Sequence, residues 1–326
     1  MVRLPRRSRP LVALLLLASL ASHAHAAAPG YLLQWGTLGA APGQFNDPRS
    51  VALDAAGNVY VVDGGNNRVQ KFTSTGAFLT QWGTTGSGPG QFDGPWGIAV
   101  DAAGDVYVTD TFNYRVQKFT STGAFLTQWG TSGVGNGQFQ YAFGIATGPA
   151  GAVYVLDWTL NRVQKFTTGG AYVTQWGTTG TGPGQFDAPS GVATDGAGNV
   201  YIVEMNNSRV QKFSPGGGYL GTWGAFGTGS NQYGYPLGLA WGAAGLYVAD
   251  TFNDRVQNTD AAGTYLLDWG TSGAGNGQFN DMHGIAADAF GYVYVVDTGN
   301  ARVQKFGPEA TPVTVTSWGR IKQLFR

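Results

Sequence analysis

One imidazole bounds the chemistry open to this chain. The sequence of 326 residues holds three histidines, and His23 and His25 fall in an N-terminal stretch with the marks of a leader, which leaves His283. There is no cysteine, so thiolate nucleophiles, disulfides and cysteine-ligated zinc are all excluded. A histidine-rich zinc site needs several imidazoles, and a Ser-His-Asp arrangement would have to use His283 without a nucleophile elbow to present the serine. The acids recur in fixed places instead. Asp63/Arg68, Asp110/Arg115, Asp157/Arg162, Glu204/Arg209, Asp250/Arg255 and Asp297/Arg302 are acid–arginine pairs five residues apart. A guanidinium meets a carboxylate at two points and suits a partly buried partner, so pairs present in every copy read as scaffold. Asp54, Asp101, Asp195 and Asp288 open D-x-x-G turns in which a carboxylate caps backbone N–H groups, and Gly148 and Gly242 stand there in two other copies. Asp54 with Asn58 offers too few converging oxygens for calcium.

The elements that must position these residues are repeats. Successive arginines of the pairs are 47, 47, 47, 46 and 47 residues apart, a period that means one array of identical supersecondary units rather than several domains. In the unit from Pro48 to Gly83, the runs SVAL, VYVVD, RVQKF and FLTQW are short strands. They are separated by the turns DAAG, Gly64 to Asn67, and TSTG. A long Gly-rich crossover follows, carrying an aromatic (Phe45, Phe92, Phe139, Phe186, Tyr233, Phe279) expected to wedge between neighbours. Six such units make an all-β, six-bladed β-propeller of four-stranded antiparallel blades over residues 30–310. First, second and third strands occur six times, while the last unit has no clear fourth strand of its own. The N-terminal run Tyr31 to Trp35 is expected to join that last blade and close the ring, with the C-terminal run PVTVTSW (312–318) as competitor. Blade five, with Asn258-Thr259 where others have Lys-Phe, departs most from the pattern.

Residues 1–26 read as a signal peptide: four arginines, a ten-residue apolar run from Leu11 to Leu20, and Ala24-His25-Ala26 before the cut. The run is too short to cross a bilayer, so no membrane span is expected and the mature protein is placed outside the cytoplasm, secreted, periplasmic or on the cell surface. Losing the leader leaves 15 basic and 19 acidic residues, which argues against nucleic acid as a partner. Residues 311–326 form a tail whose end, GRIKQLFR, is basic.

The succession Pro95-x-Gly-Ile-Ala-x-Asp101, then Gly-Asn-Val-Tyr-Val-x-Asp, then Asn-x-Arg-Val-Gln-Lys-Phe resembles the NHL repeat, in six units. The resemblance implies a six-bladed propeller, a scaffold that most relatives use to bind a partner. The amidating lyase is the enzymatic exception. A lyase of that type implies several imidazoles at the channel, and a calcium-dependent lactonase on a related propeller implies carboxylates or amides there. This chain offers Trp, Phe and Leu instead.

Function is sought where the repeat varies on the face shared by the crossovers and the second-to-third-strand turns. Just before the first strand the six blades carry Arg49, Trp96, Phe143, Ser190, Leu237 and His283. The turns add Phe112, Tyr114, Trp158, Met205, Phe252 and Asn300. Blades two and three thus give Trp96, Phe112, Tyr114, Tyr141, Phe143 and Trp158 to one side, with Arg49 and His283 as polar anchors at the mouth. Such a set marks a binding patch. The expectation is a non-enzymatic, monomeric platform for a protein, peptide or glycan, with no cofactor and no metal. The alternative is a metal-dependent lyase or hydrolase centred on His283.

Overall fold

The run Val59–Asp63 shows why each unit becomes a blade. Its β-branched and aromatic residues favour a strand packed on both faces, and all five are buried. A computed structural model describes residues 28–308, which form strands and five single-turn 3-10 helices with no α-helix among them. The strands make six four-stranded antiparallel sheets, with two short parallel pairs in the crossovers at 225–233 and 271–279. Blade one is Pro48–Leu53, Val59–Asp63, Arg68–Phe72 and Phe78–Trp82, innermost to outermost. Blades two to five follow at residues 95–129, 142–176, 189–223 and 238–269. Blade six comprises Met282–Ala287, Val293–Asp297, Arg302–Gly307 and, as its outer strand, Gly30–Trp35.

The N-terminal strand therefore closes the ring, with Tyr31 opposite Phe306 and Trp35 opposite Val303. Gln34 accepts a 2.6 Å hydrogen bond from Arg302 Nη1, as Gln81, Gln128 and Gln175 do from the arginines of blades one to three. The competing C-terminal run carries Ser317 before its tryptophan, too short to offer that amide. It lies outside the described residues, as do the expected leader at 1–26 and the expected tail at 311–326.

The core is six clusters, each between two blades. Phe92 is fully buried between Val62 and Val69 of blade one and Ile98 and Phe119 of blade two, the wedge expected of the crossover aromatics. Burying one such ring contributes about 1.5–3 kcal/mol. Farther out, Trp82 meets Tyr60 of its own blade at 6.3 Å and Phe119 of the next at 5.9 Å. At the axis five of the six first strands carry glycine where they approach one another most closely, and blade one has Ser50 there. A Cβ on Gly97 would lie 2.4 Å from Phe143 O, and one on Gly238 would lie 2.3 Å from His283 O.

The acid–arginine pairs hold the crossovers down. Arg68 Nε donates to Asp63 at 2.7 Å, and its two terminal nitrogens reach the carbonyls of Ala40, Ala41 and Gln44. Gln70 donates to Gln44 O and to Asp63 and accepts from Gly43 N. Arg and Gln two apart on a strand share a face, which is why the RVQ motif recurs: both side chains clamp one loop. The D-x-x-G carboxylates are turn caps, with Asp54 Oδ1 accepting from the N–H groups of Ala56 and Asn58.

Candidate ligand-binding face

Two loop sets meet at one end of the ring. Each crossover finishes against the second-to-third-strand turn of the same blade: Phe112 N donates to Asp93 O, Trp158 N to Tyr141 O, Met205 N to Ala188 O, and Phe252 N to Gly234 O. The variable residues of both sets therefore share a face.

Trp96 lies over the channel mouth. The pairing of its strand slips between Pro95 and Ile98, and a bulge of this kind re-aims a side chain. Its ring stacks on Phe143 at 4.1 Å and 28°, and on His283 at 5.7 Å and 19°. The Arg49 guanidinium sits 4.4 Å from its centroid, a cation–π contact of about 0.5–1 kcal/mol. Arg49 is neutralised by Asp47 at 2.7 Å and donates to Pro95 O, tying blade one to blade two. The stack continues outward through Tyr141, 6.0 Å from Phe143, to Trp158 at 5.8 Å and to Phe112, edge-on at 5.7 Å. Phe112 rests on Gly94, where a Cβ would sit 2.4 Å from its ring.

Of the eight residues expected at the site, the structure joins seven in this continuous stack. Tyr114 stands apart from it at the end of its turn, 37 % exposed. Phe143, expected as an exposed contact, is only 5 % exposed, because Trp96 and Tyr141 flank it. It supports the surface rather than presenting one.

His283 Nε2 is 3.3 Å from Asp281 Oδ1. That hydrogen bond holds the Asp281 carboxyl below its ordinary value, against burial that pushes it up. His283 Nδ1 is buried without a hydrogen-bond partner among the described residues. Beneath Trp96 and His283 the bore narrows to a cavity of about 70 Å³, room for a few waters rather than an organic ligand. Among the described residues no three His, Cys, Asp or Glu side chains gather where they could hold a metal.

The open space lies above the bore. A hollow of about 250 Å³ is lined by Trp96, Tyr141, Phe143, Trp158, Met205, Leu237 and His283. A second, of about 440 Å³, is lined by Met205, Leu237, Tyr235, Phe252, Asp254 and Asp281 among others. Met205 and Leu237 line both, so the two form one groove running from the aromatic blades two and three across to blades five and six. Tyr235, Asp254 and Asp281 were not singled out from the sequence. Tyr235 and Asp281 each stand two residues after the crossover aromatic, the position of Tyr141, and that alignment was the available signal. A larger hollow of about 580 Å³ on the opposite face is lined by the D-x-x-G turns. Its Asp54 and Asp101 carboxylates are already engaged by their own turns and by Tyr60 and Tyr107.

Residues 45–72 and 92–119 match the family model described as the NHL repeat. The chain carries NHL repeats. Solved structures similar to this NHL-repeat propeller include a catalytically inactive virginiamycin B lyase from Staphylococcus aureus with quinupristin. It is 15 % identical over 82 % of each chain, with a TM-score of 0.59. A gluconolactonase from Xanthomonas campestris is 14 % identical over 81 % of this chain and 86 % of its own, TM-score 0.59. A chain of a nidogen/laminin complex is 19 % identical over 73 % and 84 %, TM-score 0.54. At these identities the likeness is one of fold. No curated protein matches the sequence.

Proposed function

We propose that this NHL-repeat propeller is an exported binding platform that holds a protein, peptide or glycan in the groove between Trp158 and Phe252. The observation that carries the proposal is the continuity of the groove across Met205 and Leu237, over a bore too narrow for a ligand. Its walls come from loops clamped by buried arginines, so binding loses little to ordering them. The nidogen/laminin neighbour is a propeller crystallised with another protein, which accords with a surface used for association.

The test is capture from culture fluid or envelope extract by the mature protein and by a Trp158→Ala, Leu237→Arg variant, both verified as folded by circular dichroism. Material held by the first and lost by the second is the expected result. Equal capture by both, or none by either, removes the groove as the site.

The buried Nδ1 of His283, without a hydrogen-bond partner among the described residues, favours a second reading, a metal-dependent lyase or hydrolase; the similar propellers include a lyase and a gluconolactonase. Metal analysis of the purified protein separates the two. About one equivalent of tightly held zinc or calcium, lost in His283→Ala, would move the assignment to catalysis.

A further inference from the structure

The charges around the groove are one-sided. The loops of this face carry Asp47, Asp93, Asp187, Asp254 and Asp281, and their only arginine outside the buried clamps is Arg49. The six crossovers from the Trp-Gly pairs to their glutamines contain no charged residue at all. Arg49 is spent on Asp47 and Trp96, so it does not offset the remaining acids. Asp254, at the end of its turn in a left-handed conformation (φ 50°), makes no side-chain hydrogen bond or ion pair among the described residues. Asp281 gives one oxygen to His283 and keeps its side chain 59 % exposed. Both acids line the blade-five end of the groove, whereas Tyr141 and Trp158 line the other end. The groove is thus apolar at one end and anionic at the other, joined by Met205 and Leu237.

We infer that the occupant is a peptide segment of a partner protein that carries an apolar or aromatic side chain followed by an arginine or lysine, the apolar group against Tyr141 and Trp158 and the cation between Asp254 and Asp281. This rests on the binding-platform function proposed above and names its ligand class. Two carboxylates lining one hollow suit a guanidinium, which can donate to both. An unbranched thioether at Met205 adapts to varied apolar groups in the middle of the groove. The anionic face would also speed encounter with a basic partner and make binding weaken with salt. A neutral glycan would use the aromatic end and leave Asp254 and Asp281 without a role.

The experiment uses the full mature chain and three fluorescein-labelled hexapeptides: Ser-Phe-Gly-Gly-Arg-Ser, the same with Glu for Arg, and the same with Gly for Phe. Fluorescence polarisation is read at low and high salt against wild type, the Asp254→Asn, Asp281→Asn double variant and Trp158→Ala. The Arg peptide should bind at least about tenfold tighter than the Glu peptide. It should lose about fivefold or more in the double variant, and it should weaken as salt rises. Trp158→Ala should weaken the Arg peptide and leave the Gly-for-Phe peptide unchanged. Equal binding of the Arg and Glu peptides, no binding of either, or a double variant indistinguishable from wild type overturns the inference. The platform function fails separately. If extract material is still captured in a manner dependent on Trp158 and Leu237 while the peptides do not discriminate, only the basic-peptide ligand falls.

Discussion

Arg115 is placed to answer how much one repeated side chain contributes. Its Nε donates to Asp110 at 2.7 Å, and its other nitrogens reach Gln128 and the carbonyls of Ser87, Gly88 and Gln91. Arg115→Ala leaves the fully buried Asp110 carboxylate without its cation and those carbonyls without their donor, and breaking a buried pair of this kind costs about 3–5 kcal/mol. Arg162→Ala should cost less, because Arg162 stands 3.7 Å from Asp157 and its Nε already lacks a partner among the described residues. Urea unfolding of both variants checks the order. A pH series adds a sign. Burial already pushes Asp110 up, against the backbone N–H of Asp93 and the Arg115 contact. Without Arg115 it rises further, and a carboxyl raised in the folded state favours folding below its unfolded value and loses that advantage as pH rises. The Arg115→Ala deficit should therefore be smaller near pH 4 than at pH 8, whereas an effect confined to packing would not move with pH. The sequence made these pairs legible, because a spacing of five repeated in every blade has one structural use. It left Asp254 and Asp281 unmarked, since their worth depends on which turn residues adopt left-handed backbone and face the groove, and residue type alone does not say so.

At the scale of the strand, the axis and the rim obey different constraints. Gly97 runs past the neighbouring first strand, and Gly97→Ala would bring a Cβ to 2.4 Å from Phe143 O, a backbone atom that cannot swing away. We expect about 2 kcal/mol or more of lost stability, together with a shift in Trp96 fluorescence as the mouth stack moves. A thermal melt that matches wild type would show that the blades can part at no cost. Blade five offers the converse case. Asn258 and Thr259, in place of Lys and Phe, are fully buried, and Thr259 Oγ1 and Asn258 Oδ1 have no hydrogen-bond partner among the described residues. Replacing the hydroxyl by a methyl in Thr259→Val relieves a desolvated polar atom and should leave stability unchanged or raise it by about 1 kcal/mol, read as a higher urea midpoint. The departure of blade five from the repeat pattern thus has its physical consequence at those two atoms. The strands themselves were legible because alternation and β-branching mark them and glycine marks the turns. The crossover clamps were not, because the three carbonyls that Arg68 reaches belong to loop residues of no distinctive type.

The ring as a whole depends on Gly30–Trp35, which gives blade six its outer strand. Counting fourth strands already pointed to this end of the chain, and Gln34, the partner of Arg302, explains the choice over the C-terminal run. Removing residues 28–35 should expose the edge of Arg302–Gly307, lower the melting temperature and promote self-association through that edge. A peptide spanning residues 28–36, added in trans, should restore both. If the shortened chain melts and sediments like the full one, closure by the N-terminal strand contributes nothing. The closing contact joins residues 268 positions apart, and a chain is made from its first residue to its last. Blades one to five can assemble as they emerge, but Tyr31 and Trp35 must wait beside them, unpaired, until Arg302 to Phe306 exist. A ribosome that stops early releases an open arc whose first and last blades both keep an apolar flank bare. Among the described strands, the one made first therefore cannot be paired until the last is finished, and a chain cut short of Arg302 leaves those flanks open to water.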